Sequence, residues 1–359
     1  MPKMIAILAI VLFSIIGLAA AFKSIKSTPT ETIEVTAPPT QEIELAQETR
    51  VVTPQLQTQP QNIQTNHQTT LSDHTSEAED PNEDAEVEKE KLAQSSLPRS
   101  ADGLPSADII DQLFNINDPK LPIVETIVYK SRVAWQKGRP AWLSDYASHY
   151  DTSRHFIARS LNGKADYLKQ DVADGNKFNV LRSDKNYQFY LLIDTSRCKL
   201  WFYYVDNGTN ERVLLKTYDV GLGRFDSTKA SGSLTPLGKY SLGNKVAIYQ
   251  PSTMGNYHGE KTEMIRIFGT RWIPFEKELG DTTAPAKGFG IHGVPWQPDS
   301  NGKLAENTGS IGKYESDGCV RLATKDIEEI FAIIITKPSS IELVADFHDA
   351  KLPGKEKAR

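Results

Sequence analysis

The chain has 359 residues, with 41 Lys and Arg against 46 Asp and Glu, a formal net charge of -5. This mild acidity leaves no basic surplus to hold a polyanion, so no nucleic-acid partner is expected. With only two cysteines, Cys198 and Cys319, the chain has no disulfide framework and must fold on an apolar core.

Residues 4–22 form a predominantly apolar, uncharged stretch of 19 residues, preceded by Lys3 and followed by Lys23. That length suffices to cross a bilayer, and the segment 1–23 is read as a transmembrane anchor or a signal peptide. The small residues Ala19-Ala20-Ala21 leave cleavage open, although an uncleaved anchor is favoured. Either way, the remainder is expected outside the cytoplasm. Residues 24–105 are rich in Thr, Gln, Pro, Glu and Ser, with no sustained apolar period, and cannot bury enough surface to offset chain entropy. This segment is expected to be a disordered tether, and a coil of ~80 residues reaches on the order of 50 Å.

From 106 to 186 the pattern changes to a small helical region, with Val124, Ile127, Val128 and Trp135 at helical spacing, then Trp142, Tyr146, Tyr150 and Phe156. These aromatics read as core. From Tyr187 the period shortens to that of strands, at 187–194, 200–205 and 213–220, with turn formers such as Asp206-Asn207-Gly208 between them. Shorter strand candidates lie at 239–242, 265–268, 290–292 and 341–344. Ile327, Ile330, Phe331 and Ile334 fall at i, i+3, i+4 and i+7, with Asp326 in the first turn and Pro338 beyond, predicting one helix. The fold class is therefore mainly β over 187–347, followed by a charged tail at 348–359.

Ser316-Asp317-Gly318-Cys319-Val320-Arg321 places a cysteine after a glycine in a predicted turn. A thiol becomes a nucleophile where a base or positive charge favours its thiolate, and a glycine lets a carbonyl approach the backbone. Backbone amides at Gly318 and Cys319 suit an oxyanion. Ile291-His292-Gly293 supplies the candidate base, and the planar fork of Arg321 matches a carboxylate. Cys198, beside a Leu-Trp-Phe-Tyr-Tyr strand, reads as inert packing, and a Cys198–Cys319 disulfide is disfavoured because it would consume the nucleophile. No grouping of His, Cys, Asp and Glu has zinc spacing, so neither a metal nor a cofactor is expected.

Together with Val220-Gly221-Leu222-Gly223 and Thr235-Pro236-Leu237-Gly238-Lys239-Tyr240, these residues make the region 187–347 resemble the YkuD-like L,D-transpeptidase catalytic domain. The resemblance implies a β-sandwich with one helix after the nucleophile, Cys319 as nucleophile and His292 as base. It implies that Gly318, Gly293, Ser316, Asp317 and Arg321 shape the oxyanion and substrate site. It also implies peptidoglycan stem peptides as partners, on the periplasmic side of a bacterial inner membrane to which the N-terminal segment anchors the chain. The expected activity is 3-3 crosslinking through a cysteine acyl-enzyme. L,D-carboxypeptidase trimming by the same intermediate is one alternative, and a non-catalytic wall-binding protein another. Two departures stand out: the family often has His where this chain has Asp317, and residues 295–309 look inserted, as a lid, an acceptor wall or inert surface.

Overall fold

The computed structural model describes residues 102–165, 171–335 and 337–357. The expected membrane segment and nearly all of the expected tether lie outside them. Among the described residues no helix is long and apolar enough to cross a membrane.

The segment 106–186 holds helices, as its spacing predicts, but also a pair of strands. Strand β1 (Val124–Val128) lies antiparallel to β2 (Lys177–Leu181), with Val124 opposite Leu181 and Ile127 opposite Phe178. Val124, Ile127 and Val128 are thus strand residues and not the helical face their spacing suggested, because three apolar positions within five residues do not settle the period. Between the strands, α1 (Leu143–His149) and α2 (Arg154–Asn162) supply Leu143, Tyr146 and Ile157 to a local core around Phe178 and Val180. The Ser153 hydroxyl starts α2 by accepting from the Phe156 amide at 2.8 Å and donates in turn to the Ala332 carbonyl at 2.6 Å.

The strands expected at 187–194, 200–205 and 213–220 are present as β3 (Tyr187–Asp194), β4 (Lys199–Asp206) and β5 (Glu211–Asp219), and they form an antiparallel meander. In β3 both faces are covered: Phe189, Leu191 and Ile193 enter the main core, and Tyr190 and Leu192 a second one. That explains the unbroken apolar and aromatic run over 189–193, without polar alternation. Next come β6 (Leu222–Gly223), β7 (Gly238–Leu242) and β8 (Ala247–Ile248). Residues Met254–Lys261 are assigned to a different compact unit from their flanks; here β9 (Met254–Tyr257) turns into β10 (Glu260–Glu263). The expected strand at 265–268 is instead a one-turn helix, α3 (Ile265–Phe268), closed by Gly269 at φ 61°. Then follow β11 (Arg271–Glu278) and β12 (Gly290–Gly293).

The inserted stretch is a hairpin of β13 (Trp296–Pro298) and β14 (Leu304–Glu306). Its Glu306 carboxylate accepts from the Thr324 amide at 2.9 Å and its Trp296 indole donates to the Thr324 hydroxyl at 3.3 Å. The chain continues through β15 (Tyr314–Ser316), β16 (Val320–Leu322), α4 (Thr324–Ile334), β17 (Ser339–Val344) and β18 (Lys355–Glu356). Glu306 therefore places a negative charge at the first turn of α4, where unpaired amides favour it. The helix buries the expected Ile327, Ile330, Phe331 and Ile334.

The large sheet has ten strands, ordered β16-β12-β11-β7-β17-β3-β4-β5-β18 with β8 beside β11. It is one curled sheet, in place of the expected sandwich. Register shifts within the β11–β7 and β4–β5 pairs accompany its curling.

Candidate active site

Strand register decides which side chains share a face. Strand β12 runs parallel to β16 with Ile291 opposite Val320, His292 opposite Arg321 and Gly293 opposite Leu322. Side chains alternate along a strand, so Ile291, Val320 and Leu322 point into the core, where none is measurably exposed. His292 and Arg321 point the other way, and Cys319, two positions before Arg321, joins them. Three of the residues expected at the site are thus brought to one face of two adjacent strands.

Cys319 and Cys198 are both free, and Cys198 is buried, as expected of a packing residue. The half-buried Cys319 directs Sγ at the Gly288 carbonyl, 3.7 Å away. Burial pushes its thiol up to about 11; the Gly290 amide and the Arg321 charge act against that shift, and the Asp317 charge adds to it. The imidazole of His292 is buried, and burial drives its pKa down to about 4, with the Arg321 charge lowering it further and the Gly293 and Phe268 carbonyls opposing. His292 Nδ1 lies 2.8 Å from the Gly293 carbonyl oxygen. A carbonyl only accepts, so Nδ1 carries the proton of the neutral ring. Near neutral pH the pair is therefore a thiol and a neutral imidazole, not an ion pair, and no hydrogen bond joins them among the described residues.

This resting state has a measurable sign. With a thiol pKa raised to about 11, the thiolate is a fraction on the order of 10⁻⁴ at pH 7 and grows about tenfold per pH unit up to that value. Iodoacetamide alkylation of Cys319, located by peptide mapping, is expected to rise with that slope between pH 7 and 10. A rate already level above pH 7 would mean that a thiolate–imidazolium pair exists at rest.

The other expected residues fall into place around the nucleophile turn, not all as anticipated. The buried Ser316 hydroxyl donates to the Cys319 carbonyl at 2.7 Å and accepts from the Gly318 amide at 3.1 Å. The Gly318 amide is therefore committed within the turn and is not an open oxyanion donor. The Cys319 amide, which makes no hydrogen bond among the described residues, is the one left for that task. Gly318 is also not a window for substrate: a Cβ there would lie 2.7 Å from both the Leu234 carbonyl oxygen and the Phe289 ring. Asp317 is exposed and pairs with Arg224 at 2.5 Å. Gly293, expected to line the site, packs instead against Gly269, Thr270 and Ile327 and serves the imidazole through its carbonyl.

Three further residues hold the site. Thr235, fully buried, accepts from the Gly223 amide at 2.7 Å and donates to the Gly318 carbonyl at 2.9 Å. A Cβ on Gly223 would lie 2.6 Å from the Thr235 nitrogen, so both glycines allow this three-way contact. Phe268 and Trp272 flank the imidazole, with ring centroids 5.4 and 6.0 Å from it. Thr235 stood in a recognisable motif, while nothing in the sequence distinguished Phe268 and Trp272 from core aromatics.

A mainly-β domain that sets a cysteine, a buried imidazole and a guanidinium on one face belongs to the class suited to acyl transfer through sulfur. Residues 188–342 match the family model of YkuD, the L,D-transpeptidase catalytic domain, and so carry a domain of that family. The chain also aligns in part with two solved structures. One is the helical cell shape determining protein Pgp2 from Campylobacter jejuni, at 17% identity over 47% of this chain and 51% of that one, TM-score 0.30. The other is Bd1075 from Bdellovibrio bacteriovorus, at 15% identity over 44% and 48%, TM-score 0.29. The matched part spans about half the length of each. No curated protein matches the sequence.

Proposed function

We propose that the chain is a peptidoglycan L,D-transpeptidase that forms 3-3 crosslinks through an acyl-enzyme on Cys319, on the outer side of a bacterial inner membrane to which its N-terminal segment anchors it. The observation that supports this reading is the common face of Cys319, His292 and Arg321 set by the β12–β16 register.

In this mechanism a stem tetrapeptide enters with its third-residue carbonyl at Sγ and a carboxylate on the Arg321 guanidinium. Rotation of the Cys319 side chain turns Sγ from Gly288 towards the imidazole, an approach that apo enzymes often leave unmade. Sγ attacks the carbonyl carbon while His292 takes the thiol proton, and the Cys319 amide faces the developing oxyanion. The C–N bond to the terminal D-alanine breaks, its nitrogen receives the proton from His292, and a thioester remains. An amine from a neighbouring stem then attacks the thioester, gives its surplus proton to His292, and the thiol is restored. Water in place of that amine would yield a tripeptide.

Mass spectrometry of the full chain incubated with disaccharide tetrapeptide tests the reading. Crosslinked dimers and a transient adduct on Cys319 are expected. Tripeptide without dimers would assign the chain to L,D-carboxypeptidases, and neither product would leave a wall-binding role.

A further inference from the structure

The catalytic face does not end at His292. Strand β11 pairs antiparallel with β12, Trp272 opposite His292, and on its other side with β8, Trp272 opposite Ala247. The Tyr249 amide donates to the Thr270 carbonyl at 2.9 Å, extending the β8 ladder by one step. By alternation, Tyr249 and Trp272 lie on the same face as His292 and Cys319. Phe268, from α3, lies between them: its ring centroid is 6.0 Å from Tyr249, 4.9 Å from Trp272 and 5.4 Å from the imidazole. All three aromatics are half-buried, so none is closed off in the core. Trp272 also packs over Gly290, where a Cβ would lie 2.7 Å from its Cη2, and the Gly290 amide acts on Sγ. An aromatic row thus leads away from the thiol along the strands.

We infer that Tyr249, Phe268 and Trp272 form a saccharide platform that seats the glycan to which the stem peptide is attached. The inference rests on the reading of the chain as a stem-peptide enzyme and adds the part of the substrate beyond the peptide. The chemistry fits: a pyranose ring offers an apolar C–H face to the negative face of an aromatic ring, while its hydroxyls stay in water. The reach fits as well. Three residues separate the attacked carbonyl from the sugar, a span of at most roughly 10–11 Å. Ring steps of 6.0 and 5.4 Å put Tyr249 no farther than about 11.4 Å from the imidazole, and the nearer Phe268 ring at 5.4 Å lies well inside that reach. The platform is rigid because Trp272 and Tyr249 are fixed by strand pairing, which keeps the ordering cost of binding low.

Two measurements test the platform. The first compares kcat/KM for disaccharide tetrapeptide with that for sugar-free tetrapeptide. The full chain is expected to prefer the disaccharide form about tenfold, Y249F to keep the preference and Y249A to lose it. Equal use of both substrates by the full chain, or a preference that survives in Y249A, overturns the platform. The second follows tryptophan fluorescence during titration with peptide-free glycan strands. A saturable change that is absent in W272F is expected, and an unchanged signal overturns the platform. If neither peptide is turned over, the enzyme reading fails while the titration still decides the glycan site.

Discussion

Cys319→Ala is expected to abolish release of D-alanine from stem tetrapeptide, a fall on the order of 10⁴-fold or more, with no change in the melting temperature. The size follows from covalent catalysis: without sulfur there is no thioester. Stability is spared because Cys319 is only half-buried and its main-chain bonds, such as that from Ser316 to its carbonyl, survive the substitution. His292→Ala is expected to cost less, on the order of 10²–10⁴-fold. It also carries its own signature. Since burial holds the thiol up at about 11, removal of the base leaves attack dependent on spontaneous thiolate, and the residual rate should climb with pH as the thiolate does. A His292→Ala rate that is flat between pH 7 and 10 would assign proton transfer to another group. Substantial acyl-enzyme on Cys319→Ala, measured by intact mass, would overturn the assignment of the nucleophile.

Much of this site was legible in the sequence because its chemistry is local. Gly318-Cys319 and His292-Gly293 are short words, and the aromatic and aliphatic run within Tyr187–Asp194 announces the strand that anchors the sheet. What the sequence withheld depends on partners far along the chain. Val124, Ile127 and Val128 fit a helix face as well as a strand, and only pairing with 177–181 decides between them. Ile265–Phe268 is too short for its period to speak. The commitment of the Gly318 amide to Ser316 needed side-chain geometry, since a free amide after a turn looks the same in sequence. The same holds for Thr235, whose bond to Gly318 bridges 83 positions. Trp272 and Phe268 become neighbours of His292 only through the register of β11 on β12.

The dependence of the nucleophile turn on that long-range clamp makes Gly318→Ala damaging to stability and turnover at once. Gly318 has φ 122°, a conformation that disfavours a side chain, and its new Cβ would meet the Leu234 carbonyl oxygen at 2.7 Å. The Phe289 ring, also at 2.7 Å, can turn aside, but the Leu234 carbonyl is backbone, and the Leu234 amide is held by donating to the Arg224 carbonyl at 2.9 Å. Strain and overpacking together cost about 2–4 kcal/mol, a fall in melting temperature of roughly 5–15 °C for a body of this size. Relief comes by moving the turn, which carries the adjacent Sγ with it, and a displacement of about 1 Å lowers turnover on the order of 10²-fold. Thr235 separates the two effects. Thr235→Ser keeps the hydroxyl that joins Gly223 to Gly318 and should behave nearly as the parent, whereas Thr235→Val strands a buried amide and a buried carbonyl, costing about 1–3 kcal/mol for each. Calorimetry and single-turnover acylation on the three variants form the check. A Gly318→Ala protein with parental stability and acylation would mean that the turn is slack, and that the clamp through Thr235 does not set the position of the sulfur.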